Sequence, residues 1–210
     1  MVEIIIVRHG ETEWNVGEIF RGRVEIGLNE TGKKQAELLV QYLSDLKIEA
    51  IYSSPLKRAM EVAQAIAKYH RLNVEVSQGL NDLDFGEWQG LPRREVREKY
   101  PEVYAEWVNH PERVKLPGGE SLDEVRKRAL TVVGKVIAKH QGNIILVSHR
   151  VVNNALICAL LGLDNSHFWN IRLDTCGVTI FDYENGRFIL NKHNDTSFLK
   201  PLEKDQPANF

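Results

Sequence analysis

Four apolar residues in a row, Ile4-Ile5-Ile6-Val7, stand near the start of the chain. An unbroken run of this kind buries both faces of a strand, as happens inside a parallel sheet. The period then changes. Leu28-Asn29-Glu30-Thr31 opens a segment in which Ala36, Leu39, Val40, Leu43 and Leu46 recur at the spacing of one helix face. A short strand is predicted around Ala50-Ile51-Tyr52-Ser53. A second helix follows with Pro55 near its start, and Ala59, Val62, Ala63, Ile66 and Ala67 form its buried stripe. Leu72–Val76 reads as a third strand and leads into a polar loop, Leu80–Gly90.

The rhythm breaks over about residues 92–120, where Pro92, Pro101, Pro111 and Pro117 punctuate short helical pieces carrying Tyr100, Tyr104 and Trp107. So short a segment cannot hold a core of its own, so it reads as a small helical lid within a single domain spanning 1–210. Regular structure resumes at Ser121-Leu122-Asp123-Glu124, which has the form of a capping box. Val125, Ala129, Val132, Val133 and Val136 face that helix inward. Asn143–Val147 is another buried strand, ending in Ser148-His149 and followed by a helix through Leu161. Val178–Tyr183 and Arg187–Leu190 flank Asn185-Gly186 and predict a hairpin. The final segment, about eleven residues, is polar and is expected to be loosely held. Strands alternating with helices predict an α/β fold with a mostly parallel central sheet.

Composition narrows the partners. The 210 residues carry a net charge of -2, with 43% hydrophobic and 27% charged positions. Such a chain has no global attraction to nucleic acid or to an anionic membrane, so any anion site must be local. Cys158 and Cys176 sit in apolar surroundings and read as buried thiols. No basic or long apolar leader precedes the first strand, and no window reaches membrane-spanning length, which gives a cytoplasmic reading.

Three strands end in reactive residues: Arg8-His9, then Ser53-Ser54-Pro55-Leu56-Lys57-Arg58, then Ser148-His149. Right-handed crossovers put these ends on one rim of the sheet, where ligands bind in open α/β folds. Two guanidiniums there suit a phosphoryl group, and two imidazoles divide into a nucleophile and a hydrogen-bond donor. His70, His110, His140, His167 and His193 read instead as surface or capping residues. No His-x-His, His-Glu-x-x-His or carboxylate cluster of ligand spacing occurs, so no metal is expected.

Six ordered blocks now carry a resemblance. They are Arg8-His9-Gly10-Glu11-Thr12-Glu13-Trp14-Asn15; Arg21-Gly22-Arg23 with Leu28-Asn29-Glu30-Thr31-Gly32; Ser53-Ser54-Pro55-Leu56-Lys57-Arg58-Ala59; Phe85-Gly86-Glu87-Trp88-Gln89-Gly90; Gly118-Gly119-Glu120-Ser121; and Val147-Ser148-His149. Together they resemble the histidine phosphatase superfamily in its phosphoglycerate mutase-like branch. The resemblance implies a three-layer sandwich and a metal-independent phosphomonoesterase acting on a small phosphorylated metabolite, with no cofactor and often as a homodimer. It implies His9 as the phosphorylated nucleophile. Arg8, Arg58 and His149 would form the phosphate pocket, with Asn15 as a neutral donor and Arg21 on a loop that lines it.

Three features depart from the family pattern or bear on specificity. The family's general acid is usually a glutamate, whereas this chain has Asp82 in that place, with Asp84 as a competitor. Aspartate is one methylene shorter and intrinsically the stronger acid, so its loop must approach closely. Arg150 stands where relatives often have glycine, and would contact a substrate anion or pair with a nearby acid. The alternatives to a phosphatase are a phosphoglycerate mutase and a non-catalytic phosphate-binding module. The short lid speaks against the mutase, because excluding water preserves a phosphoenzyme. The complete nucleophile and clamp speak against the binding module.

Overall fold

The computed structural model describes residues 2–203. Six strands, β1 (Val2–Arg8), β2 (Ile48–Ser53), β3 (Val74–Val76), β4 (Asn143–Ser148), β5 (Val178–Glu184) and β6 (Arg187–Asp195), form one sheet in the order β3-β2-β4-β1-β5-β6. The first four neighbours pair in parallel and β5 and β6 join antiparallel. Eight helices accompany them among the described residues: α1 (Glu13–Val16), α2 (Glu30–Tyr42), α3 (Lys57–His70), α4 (Arg93–Lys99), α5 (Pro101–Asn109), α6 (Leu122–Lys139), α7 (Arg150–Leu160) and α8 (Lys200–Glu203).

Alternation along each buried strand builds the layers. Ile4 and Ile6 of β1, with Ile144 and Leu146 of β4, face a core that includes Val125, Ala129 and Val133 of α6 and Val152 and Leu156 of α7. Ile5, Val7, Ile145 and Val147 face the opposite way, onto Ala36 and Leu39 of α2 and Val62, Ala63 and Ile66 of α3. Helices therefore cover both faces of a mostly parallel sheet, as the strand–helix alternation requires.

Register brings the strand ends together. Val7 and Ser53 both pair with Val147, and Arg8 pairs with Ser148. The chain leaves each strand at the same level: His9 N donates to Ser148 O at 3.0 Å, and Ser54 N donates to Val147 O at 3.0 Å. The three reactive termini thus form one rim.

Several boundaries differ from the sequence reading. Pro55 lies before the N-cap Leu56 of α3, outside its first turn. Strand β3 starts at Val74 because Leu72 N still closes α3, donating to Ala67 O. Leu80–Gly90 is no polar surface loop. Leu80, Leu83, Phe85 and Trp88 are buried in it and belong to the α6/α7 core, a burial without periodicity to announce it. Val40 and Leu46 are only partly buried. The lid segment does fold as α4, α5 and a short turn at Pro111–Arg113, with Trp107 packed among Phe85, Trp88, Phe168 and Trp169. The capping box at Ser121 and Glu124 forms, and the hairpin turns through Asn185 and Gly186, both at positive φ. Both cysteines are buried and unpaired. Of the loosely held tail, α8 ends at Glu203 and the remainder lies outside the described residues.

One close approach matters to the rim. A Cβ on Gly32, in the first turn of α2, would lie 2.1 Å from Glu11 O, so this backbone can be seated against the loop after β1 only with glycine. Gly134, inside α6, has open space around it. Gly32→Ala is expected to cost about 1–3 kcal/mol. Gly134→Ala should instead gain about 0.5–1 kcal/mol through helix propensity. Denaturant unfolding of the two variants checks this, and effects of the same sign would contradict the packing described.

Candidate active site

The carboxyl ends of β1 and β4 open into a cavity of about 370 Å³. Arg8, His9, Asn15, Arg21, Asp82 and Arg150 line it, together with Trp107 of α5. Of the residues singled out from sequence, Arg58 and His149 stand just behind this lining, and Asp84 is outside it.

His9 is 1% exposed, and its Nδ1 lies 2.6 Å from Gly10 O. A carbonyl can only accept, so Nδ1 carries the proton and Nε2 keeps its lone pair for the cavity. Burial first, then the Arg58 charge, the adjoining His149 ring and the Arg8 and Arg21 charges, hold the ring well below the ordinary histidine value of 6.5. It is a neutral imidazole near neutrality, ready to act as a nucleophile without a separate base.

His149 is equally buried, with its ring centroid 5.2 Å from that of His9. Its Nε2 sits 2.7 Å from Ser54 Oγ, which itself accepts from Leu56 N at 3.3 Å. The Ser54 hydroxyl then donates to His149 Nε2, which places the ring's own proton on Nδ1. That N–H faces Asp82 Oδ2 at 3.5 Å. Burial, followed by the Arg58 and Arg21 charges, also keeps His149 well below its ordinary value.

The arginines divide into two kinds. Arg58 is fully buried, and its terminal nitrogens are taken: Nη1 donates to Val24 O, and Nη2 to Gly22 O and to Asp82 Oδ2 at 2.9 Å. Both terminal nitrogens are therefore engaged by the protein, and only the buried Nε lacks a partner. Arg8 donates Nη1 to Leu173 O at 2.7 Å and keeps an unpaired Nε. The Arg21 guanidinium makes no hydrogen bond among the described residues, and its Nε is buried. Burial, with Arg150 and Arg21 near, brings Arg8 down to about 9, and burial brings Arg21 down to about 10. Each remains a cation at neutral pH whose charge is poorly compensated, which makes the cavity receptive to a dianion.

Asn15 Oδ1 accepts from both Thr12 N and Thr12 Oγ1, which fixes the amide and leaves Nδ2 as its donor toward the cavity. The carboxylates separate cleanly. Asp82 is 5% exposed and reaches the cavity, whereas Asp84 accepts from Gly86 N and lies 3.5 Å from Arg23. Arg150 lines the wall with its guanidinium 5.6 Å from the Trp169 ring centroid, and forms no ion pair among the described residues. Ser54, Trp107 and Asp174 were not assigned to the site from sequence. Ser54 sat within a matched block, but its contact with His149 spans 95 positions.

With this geometry in view, the comparisons are specific. Residues 4–196 match the histidine phosphatase superfamily (branch 1). The chain is 40% identical over 200 residues to phosphoserine phosphatase 1 of Hydrogenobacter thermophilus, covering 95% of each chain. It is 32% identical to the metal-independent phosphoserine phosphatase of Arabidopsis thaliana, over 96% of this chain and 85% of the other. The structure of Bacillus stearothermophilus YhfR superposes with a TM-score of 0.91 at 27% identity, over 95% of this chain and 100% of that one.

Neutral burial of two histidines links the site to acid stability. Their folded values lie below 6.5, so the unfolded chain binds more protons as pH falls. Their contribution to stability is complete above about pH 6.5 and is lost as pH drops from there toward the folded values. Thermal unfolding between about pH 5 and 8 should show a shallower acid loss for His9→Gln than for the unaltered chain. Equal slopes would contradict the neutral state of His9. Sequence blocks, rim geometry and relatives agree on a metal-independent phosphoric monoester hydrolase working through a phosphohistidine, and the chain belongs to the histidine phosphatase superfamily.

Proposed function

We propose that His9 is the nucleophile, that Asp82 is the proton donor, and that the substrate is a small phosphomonoester bearing a carboxylate, with phosphoserine the first candidate. The observation that carries this reading is the His9 Nδ1–Gly10 O contact, which leaves Nε2 in a cavity flanked by the unpaired donors of Arg8 and Arg21. Arg8, Arg21 and the Asn15 amide hold the phosphoryl oxygens. His149 donates Nδ1–H, and Arg58 adds its charge from behind. In the first step His9 Nε2 bonds to phosphorus while the ester P–O bond breaks, and Asp82 gives its proton to the leaving oxygen. In the second, Asp82 takes a proton from water. The water oxygen bonds to phosphorus, the P–N bond breaks, and inorganic phosphate leaves with His9 restored.

Arg150 supports the substrate class. A cation steadied against an indole face, on the wall of a phosphate cavity and without an acidic partner, suits a carboxylate on the leaving group. Glu18 and Asp174 on the same lining offer acceptors for an amino group. Relatives named as phosphoserine phosphatases favour the same substrate. The lid at 92–120 covers this site within one catalytic domain, and the two buried thiols fit a cytoplasmic setting.

Turnover of 4-nitrophenyl phosphate is expected to persist in EDTA and to vanish in His9→Ala; activity retained in that variant would remove the nucleophile assignment. Arg150→Ala should raise KM about 10- to 100-fold for phosphoserine, while phosphoethanolamine, which lacks the carboxylate, changes little. Equal effects on the two substrates would rule out Arg150 as the carboxylate contact.

A further inference from the structure

The Gly118-Gly119-Glu120-Ser121 block contributes nothing to the cavity wall, yet it is tied to the loop that presents Asp82. The tie runs through Arg128 of α6, and a guanidinium has five N–H groups to place. Arg128 Nε and Nη2 grip the two carboxylate oxygens of Glu120 at 3.1 and 3.0 Å. Nη1 donates to Gly79 O at 2.9 Å and Asn81 O at 2.6 Å, and Nη2 donates to Asp82 O at 3.0 Å. Five donors thus meet five acceptors, three of them carbonyls of the strip ending at Asp82. Glu120 completes the hold on the far side. Its Oε2 accepts from Asp84 N at 3.0 Å, and its own N donates to Asp84 O at 2.9 Å. Gly119 allows this approach, since a Cβ there would lie 2.3 Å from Asp84 O.

We infer that Arg128 and Glu120 are positioning residues for proton transfer, fixing the backbone on both sides of Asp82 so that its carboxyl meets the leaving oxygen. The inference rests on the reading of Asp82 as the donor. The clamp matters more here than with a glutamate, because the shorter aspartate cannot absorb a displaced loop by extending its side chain. Neither residue touches the substrate. Glu120 Oε1 also pairs with Arg23 at 3.0 Å, but the three carbonyls that Arg128 holds all belong to the strip ending at Asp82, and that gives the clamp a signature.

The test compares kcat/KM for phosphoserine, whose leaving alkoxide needs a proton, with 2,4-dinitrophenyl phosphate, whose leaving phenolate does not. Both report the step that breaks the ester bond. Arg128→Met and Glu120→Gln should lose activity on phosphoserine, by about 10²-fold for Arg128→Met, while the dinitrophenyl ester barely changes. Arg128→Lys keeps the charge but cannot span the acceptors, so it should recover only part of the loss. Circular dichroism checks folding, and if Arg128→Met does not fold, Arg128→Lys carries the comparison. Asp82→Asn, run in parallel, separates the two readings. A selective loss in Asp82→Asn with an equal loss, or none, on both substrates in the Arg128 variants overturns the positioning inference alone. No selective loss in Asp82→Asn overturns the donor reading and the positioning inference with it.

Discussion

The guanidinium of Arg58 has no exposure to solvent, and a charge that deep is tolerated only when its donors are used. Its partners come from two loops distant in sequence: Gly22 O and Val24 O beside Arg21, and the carboxylate of Asp82. One buried cation therefore sets where Arg21 and Asp82, both on the cavity lining, stand relative to each other. Removing it would leave Asp82 Oδ2 and the Gly22 and Val24 carbonyls without their buried donor, a loss of about 3–5 kcal/mol if uncompensated. Like Arg8 and Arg21, Arg58 keeps an unpaired buried Nε, but both of its terminal nitrogens are held by the protein.

The same accumulation of charge prepares the nucleophile. Neighbouring guanidiniums together with burial disfavour a proton on either histidine, so His9 stays neutral. Those cations are also the groups that attract a phosphate dianion. Binding and nucleophile activation thus follow from a single arrangement, and neither calls for a base beside His9. The sheet makes this possible because parallel register ends β1, β2 and β4 at one level, where two histidines and their supporting backbone can meet.

Much of this was legible in the chain. Unbroken apolar runs placed β1 and β4, helical spacing placed α2, α3 and α6, and Arg8, His9 and His149 stood out at strand ends. Sequence put Asp82 forward as the acid with Asp84 as its competitor, and the loop's path brings Asp82, not Asp84, to the cavity. What stayed hidden depends on contacts between distant residues. Nothing in Ser53-Ser54-Pro55 says that Ser54 will orient His149, and nothing around Arg58 says that its fork will be spent on carbonyls. Leu80, Leu83, Phe85 and Trp88 enter the core without any period, because they pack inward from an irregular segment instead of lining one face of an element. Arg128 had no signal in the sequence, because its five acceptors lie on Gly79, Asn81, Asp82 and Glu120, brought together only by the fold.

The central claim is that phosphoryl transfer passes through His9. Rapid acid or alkaline quenching of the enzyme with substrate labelled in its phosphoryl group tests it most directly. The account predicts a transient phosphoenzyme that survives alkali, decays in acid as a phosphoramidate does, and maps to the peptide carrying His9. Label that is stable in acid, or that maps to Ser54, Ser148 or His149, would contradict it.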